Sequence, residues 1–387
     1  MSTQRQTSAV AVAAPATVTE RTFAHHGAPA SDVVDWFTRG LARVMSAAGY
    51  QAQAEPGPDV QVVLHVVDLA RPRPYRRKSA PTFVVAVAEV DEPPEDLLRT
   101  GYPVLVRGLA NLVVLVSDNR SERAAHFVTL EQGTYTVQRS EGDDAFFGAV
   151  FDRIEPLASS RLVIANEFRA DLLTELWAGD DQTRQIERAG EQLDRLDLLP
   201  APFPIEELLS ERDLRHVKLL YGIGGLSYGN VSARRQPPTD SEYGPEFWMS
   251  ASGVDKANLR RVGQDVLLVR GYNPARDSMV LSVPPEMEPN RVSVDAIEHW
   301  MIYREHPEVG AIVHVHAWID GTVATEINYP CGTLELAEAV ADLVRAAPDA
   351  SHAVVGLRNH GLTITGPDLN EIFERIDGRI VRHVPMD

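Results

Sequence analysis

The chain has 387 residues, 44% apolar and 24% charged, a globular composition long enough for two ordinary domains and incompatible with disorder throughout. Its 37 Lys and Arg against 55 Asp and Glu give a net charge of −18. Phosphate-backbone binding is driven by basic charge, so nucleic acid is excluded as the main partner.

From the N-terminus, the apolar stretch Ala9–Ala16 after Arg5 weakly imitates a secretory signal. We read residues 1–24 instead as a floppy tail. Nowhere does an apolar run approach the roughly 18–20 residues that cross a bilayer, so no membrane partner is expected and the cytoplasm is the default compartment. Residues 25–158 read as an α/β domain of unassigned role. Helical spacing covers 32–48, with Ser31 placed to cap it. Strand-length apolar runs follow at Val60–Asp68, Thr82–Val90, Val104–Arg107, Leu112–Ser117, Phe127–Leu130 and Thr134–Val137. Gln132-Gly133 reads as a hairpin turn and 143–156 as a closing helix. Near-continuous apolar strands imply a sheet covered on both faces. The dense basic run Arg71–Lys78 lies between two strands; a solvated loop is the plain reading and a site for phosphate or an acidic partner the functional one.

Residues 159–204 carry two helical patterns broken near Gly179-Asp180, then the linker Pro200-Ala201-Pro202-Phe203-Pro204, where we place the domain boundary. Residues 205–387 form the second domain. Ser210-x-x-Asp213 resembles a capping box for a helix to Tyr221, followed by a Gly-rich loop over 222–229. Strands are expected at Asn230–Arg234, Phe247–Ser250, Val266–Arg270, Ala311–Trp318 and His352–Leu357. Helices are expected at 294–305, capped by Ser293, at Leu334–Ala346 and at Asp368–Asp377.

Cys331 is the sole cysteine. A disulfide framework and a multi-cysteine metal site are therefore excluded within one chain, and any metal falls to His and carboxylate. The strongest chemical signal is Val313-His314-Val315-His316. Alternation in a strand puts both imidazoles on one face, which is half of a metal site, although a hydrogen-bonded core histidine is the inert alternative. His360 follows an apolar strand at a sheet edge, where either a ligand or a plain turn histidine fits. Asp295 lies in the first turn of its helix, as a dipole-complementing acid or as a carboxylate beside a metal, with His299 one turn on. Gly225-Leu-Ser-Tyr-Gly229 satisfies the nucleophile-elbow pattern, yet a strand rather than a helix follows it. Cys331 reads as a packing residue.

At this point the residues resemble a family. Gly229-Asn230-Val231-Ser232-Ala233-Arg234, Ser250-Ala251-Ser252-Gly253, Ser293-Val294-Asp295, Pro307 to His316, Gly332-Thr333-x-Glu335-Leu336-Ala337 and Asn359-His360-Gly361 occur in the order seen in the class II aldolase/adducin family. That family includes L-fuculose-phosphate aldolase, L-ribulose-phosphate 4-epimerase and methylthioribulose-phosphate dehydratase. The resemblance covers the C-terminal half only. It implies an α/β/α domain with a central, mainly antiparallel sheet, preceded here by a separate α/β domain.

The resemblance assigns His314, His316 and His360 to a divalent metal, usually zinc. It gives Asp295 the proton-moving role and Asn230, Ser252, Gly253 and Ser293 the cradling of a substrate phosphate. The implied reaction is that of a lyase or isomerase on a hydroxy-carbonyl small molecule through a metal-stabilised enediolate. A homo-oligomer, commonly a tetramer, is implied as well. There are departures. Only 15 residues separate His316 from Gly332, no tyrosine follows Tyr329, and Asp295 is shorter than the aldolase glutamate, so the proton-transfer groups differ. Three alternatives therefore stand beside the lyase. Two use the same three-histidine site in a natural-product pathway, as an Fe(II) oxygenase or as a decarboxylase. The third is an adducin-like interaction module without chemistry.

Overall fold

A computed structural model describes residues 21–79, 82–119, 122–198, 203–221 and 229–386. The signal-like stretch Ala9–Ala16, the tail up to residue 20, most of the Pro-rich linker and the Gly-rich loop over 222–228 lie outside the described residues. Residues 22–24, expected to end the tail, instead open a strand, because Phe23 and Ala24 are fully buried.

The N-terminal α/β domain runs β1 (Thr22–His26), α1 (Asp32–Ala47), β2 (Gln51–Gln53), β3 (Val62–Val66), β4 (Phe83–Val90), α2 (Leu97–Gly108), β5 (Leu112–Asn119), β6 (Glu122–Thr129), β7 (Thr134–Gln138) and α3 (Asp143–Ser159). The sheet order is β2-β1-β3-β4-β5-β6-β7. Its first five strands are parallel, and β6 and β7 add an antiparallel hairpin. Ser31 Oγ accepts the Val34 N–H at 3.2 Å and starts α1. Phe37 and Leu41 of α1 join Phe147 and Val150 of α3 on one sheet face. On the other face Tyr102 and Leu105 of α2 meet Val63, Ala86 and Val113. Val104–Arg107 is helix, not the expected strand. Asp96 caps α2 through the Arg99 N–H at 2.8 Å, and the buried set Gly101, Tyr102, Leu105, Val106 has helical spacing that a four-residue apolar run conceals.

The second sheet is built from β8 (Ala165–Arg169), then, after α4 (Asp181–Arg195), α5 (Ile205–Leu208) and α6 (Glu211–Tyr221), from β9 (Gly229–Arg234), the small hairpin β10 (Asp240–Ser241) and β11 (Gly244–Pro245), β12 (Phe247–Ser250), β13 (Val266–Asn273) and β14 (Ser278–Ser282). It continues with α7 (Ala296–Glu305), β15 (Ala311–Val315), α8 (Leu334–Ala346), β16 (Val354–Leu357), β17 (Gly361–Gly366) and α9 (Leu369–Ile376). Eight strands pair in the order β16-β17-β15-β9-β12-β13-β14-β8, antiparallel except for β14 with β8. β8 falls where helix was expected; its sequence has no apolar face, and pairing with β14 makes it a strand. Alternation splits the layers. Phe247 and Met249 pack toward α7 and α8, whereas Trp248 and Val313 pack toward α4 and α9. The side chains between them, His314 among them, therefore face α7.

Two elements after the linker lean back on the first domain. Ile205 of α5 and Val217 of α6 join the α2 core, and Arg107 binds Asp213 at 2.6 Å. Ser210 Oγ also accepts the Asp213 N–H at 3.2 Å, as the capping pattern predicts. No helix among the described residues is long and apolar enough to cross a membrane.

Lys256 is fully buried, with Nζ donating to the Ala251 carbonyl at 3.3 Å. Burial pushes its ammonium down to about 8 from 10.5, against the pull of Asp255. The unfolded chain then holds this proton more tightly than the native one, so the penalty, about 3 kcal/mol from that shift, is full below pH 8 and fades up to pH 10.5. In urea unfolding, the stability of Lys256→Met relative to the parent should fall as pH rises from 7 to 10; a pH-independent difference would contradict the assignment.

Candidate metal centre

Backbone register gathers the histidines. β15 pairs on one side with β9, His314 opposite Asn230, and on the other with β17, Val315 opposite Leu362. Gly229 permits the first approach: with φ +145°, a Cβ there would sit 2.1 Å from the His314 carbonyl oxygen. His360 stands in the β16–β17 turn behind Asn359, which takes a left-handed φ of 60°. The ligand-capable atoms of His314, His316 and His360 all lie within 4.8 Å of one another. The rings of His314 and His360 stack at 5.1 Å, and His316 stands edge-on to both.

Burial, and then the neighbouring imidazoles, hold His314 and His360 well below the usual histidine range, so both are neutral donors. Neither ring nitrogen of His314 has a hydrogen bond of normal geometry; only the Leu362 backbone comes near. A fully buried imidazole left this way is costly unless something else occupies its lone pair. Three convergent imidazoles beside carboxyl groups suit a divalent cation.

Carboxylates arrive from α7. Asp295 is the N-cap residue of that helix but makes no side-chain cap bond. Instead its Oδ2 accepts from Asn230 Nδ2 at 2.7 Å and faces Ser293 Oγ at 3.4 Å, and its Oδ1 is buried without a partner. Ser293 was expected to cap the helix with its hydroxyl. That hydroxyl accepts from Asn230 at 3.0 Å, and Ser293 meets the helix only through its carbonyl. Sequence reading missed Glu298, one turn along α7, which accepts from Thr363 of β17 and leaves Oε2 unpartnered. Burial raises both carboxyls, and the Asp295 charge adds to the effect on Glu298. His299 points to the other side of this cluster, bonded to Ser232 Oγ at 2.8 Å, and burial takes it down to about 3. Asn230 and Ser293 thus converge on Asp295. Ser252 and Gly253 occupy an exposed turn, tied to the Ser293 segment by the Ser252 N–H to the Arg291 carbonyl at 2.8 Å.

The first domain reaches the same place. Its β6–β7 turn carries Glu131, hydrogen-bonded to Cys331 and electrostatically coupled to Asp295; burial pushes its carboxyl up. Cys331 Sγ in turn lies 3.2 Å from His360 Nε2. Cys331 therefore stands against the histidine cluster. Burial, then the charges of Glu131, Asp295 and Glu298, push its thiol well up, which keeps it protonated. Gln132 fixes the turn, donating from Nε2 to the Tyr329 carbonyl at 2.6 Å and accepting from Asn328 Nδ2 at 3.2 Å. The sequence marked this turn as a hairpin but carried no sign that its acid would face another domain.

Residues 215–326 match the family model described as Class II Aldolase and Adducin N-terminal domain. The matched segment lies in the C-terminal half, the part of the chain that carries the resemblance to the class II aldolase and adducin family. His360 lies beyond the matched segment and joins the other two histidines through the fold. Among solved structures, the chain is similar to "YgbL, a putative aldolase/epimerase/decarboxylase from Klebsiella pneumoniae", at 16% identity and TM-score 0.32, covering 51% of this chain and 83% of that one. It is also similar to an L-fuculose 1-phosphate aldolase, at 15% identity and TM-score 0.34, covering 52% and 82%. No curated protein matches the chain.

Gln132→Ala removes both bonds from a buried seam and leaves Asn328 and the Tyr329 carbonyl unsatisfied. The expected loss is about 1–3 kcal/mol, read as a lower urea midpoint at unchanged m. An unaltered midpoint would mean that the seam does not hold the turn.

Proposed function

We propose that the C-terminal domain is a divalent-metal lyase or isomerase acting on a hydroxy-carbonyl small molecule. The observation that carries this reading is the convergence of His314, His316 and His360, the first and last of them buried, with His314 lacking any normal hydrogen bond among the described residues. Those three side chains would hold the cation, zinc by preference. When bound, it would supply Lewis-acid polarisation of a substrate carbonyl.

This chain's residues would do the rest. Asn230 and Ser293 hold Asp295 by one oxygen, which leaves Oδ1 to accept or return a proton on the carbon beside that carbonyl. Glu298 and Thr363 support the same face of the sheet. Glu131, brought in by the first domain, serves as the second acid over the site, in the place left by the missing family tyrosines. A phosphate on the substrate would meet the exposed turn at Ser252 and Gly253, since Asn230 and Ser293 are already directed at a carboxylate. The exposed apolar side chains of Leu162, Phe168, Leu173 and Trp177 lie on and beside the free edge strand β8, and suit a homo-oligomeric contact.

Protein purified without chelator should carry close to one divalent ion per chain, and His314→Ala or His360→Ala should lose it together with turnover. Zinc supports the lyase. Iron would move the reading to an oxygenase, and a metal-free protein would leave a non-catalytic interaction module.

Asp295→Asn should keep its metal and lose about 10²–10⁴-fold in kcat, the usual worth of a positioned acid or base. Glu131→Gln should also keep metal and fold while lowering kcat more than it changes KM. Full activity in either variant would remove that residue from the mechanism.

A further inference from the structure

The N-terminal sheet has a feature that the metal centre does not use. Its strand order places β1 between β2 and β3, so the chain leaves neighbouring strands in opposite directions. From β1 it passes into α1, on the face lined by Phe37 and Leu41. From β3 it passes into a segment whose Val67 and Tyr75 pack on the opposite face, with Tyr102. Where connections part in this way at the carboxyl ends of parallel strands, an open α/β sheet forms a crevice, and that crevice is where such sheets take ligands.

A cavity of about 540 Å³ lies there, formed by the ends of β1 and β2 and by the segment after β3. Its chemistry is that of an anion site. His26 Nδ1 meets His65 Nδ1 at 3.0 Å, and His65 Nε2 meets the Arg73 carbonyl at 2.8 Å. A carbonyl only accepts, so His65 donates from Nε2 and accepts at Nδ1, which makes His26 the donor between the rings. Tyr75, only 4% exposed, packs against His26 at 4.9 Å and its buried hydroxyl has no hydrogen-bond partner. Arg76 and Lys78 line the opening and are exposed, and among the described residues neither forms an ion pair with an acid. Lys78 lies close enough to His26 to disfavour its protonation, after burial and His65. By contrast, Arg77 of the same run is taken up structurally, bonded to Asn111 at 2.7 Å and to the Thr82 carbonyl at 3.0 Å. On a chain of net charge −18, two unpaired cations beside an unsatisfied buried phenol stand out. Among the described residues, Glu55 is the one acid on the lining, and suits a hydroxyl or amine on the body of the ligand.

We propose that this crevice binds a small phosphate-bearing molecule, with Arg76, Lys78 and the Tyr75 hydroxyl on the phosphate and Glu55 on a polar group of its body. The site is separate from the three-histidine centre and does not depend on the reaction proposed for it.

Pyrophosphate titrated into the full chain by calorimetry is the test, run in parallel on the parent, on His360→Ala and on the double variant Arg76→Ala/Lys78→Ala. The expected result is saturable 1:1 binding that persists in His360→Ala and weakens at least tenfold in the double variant, whose metal content and thermal midpoint stay those of the parent. Tyr75→Phe should weaken binding several-fold by loss of the hydroxyl alone. Absence of saturable binding would overturn the proposal, as would equal affinity in the double variant. Binding lost in His360→Ala and kept in the double variant would place the anion at the metal centre, and overturn it equally.

Discussion

Stacking the buried imidazoles of His314 and His360 beside a third is tolerable only while neither of the two is protonated. His314 and His360 stack at 5.1 Å in surroundings that penalise any charge on either, and a second proton in the cluster would meet both burial and repulsion. Most of the C-terminal half can be traced to that demand. Gly229 lets β9 close on β15, the αL turn at Asn359 swings His360 over His314, and Val313 and Val315 anchor the strand from the opposite layer. Carboxyl groups are gathered nearby from Asp295, Glu298 and Glu131, so that imidazoles and acids face one another, the two halves that a cation site would need.

The carboxyls are costly in the same way. Asp295 and Glu298 lie one helical turn apart, both buried, and each retains an oxygen with no protein partner. A structural role alone leaves such groups unexplained, since a pair of amides would fill the space without the electrostatic penalty. Glu131 extends the pattern across a domain boundary. The seam formed by Gln132, Asn328 and the Tyr329 carbonyl is polar, directional and short, so the first domain is registered against the histidine cluster rather than merely attached to it.

Much of this was legible in the sequence where the signal was local. The alternation of Val313-His314-Val315-His316 fixed which faces the side chains take, Ser31 and Ser210 marked helix starts, and the order of the short motifs pointed to the fold of the C-terminal half. Where the reading failed, the deciding signal lay outside the short run being read. Val104–Arg107 looks like a strand until Asp96 and the 101–106 spacing are weighed together. Residues 165–169 have no strand signal of their own and acquire one from β14. Ser293 turns to Asn230, 63 residues away, instead of to its own helix. Glu131 could not be placed at all, because nothing within a hairpin turn reports what the turn faces.

The lone thiol beside His360 gives this protein a chemical handle that needs no engineering. Because Cys331 is the sole cysteine, is half-buried and is held protonated beside Glu131 and the imidazole, a maleimide or iodoacetamide label would attach slowly and at one place. With a sulfur 3.2 Å from His360 Nε2, one edge of the histidine cluster is softer than imidazole alone, a character that suits cadmium, mercury or cuprous ions better than harder cations.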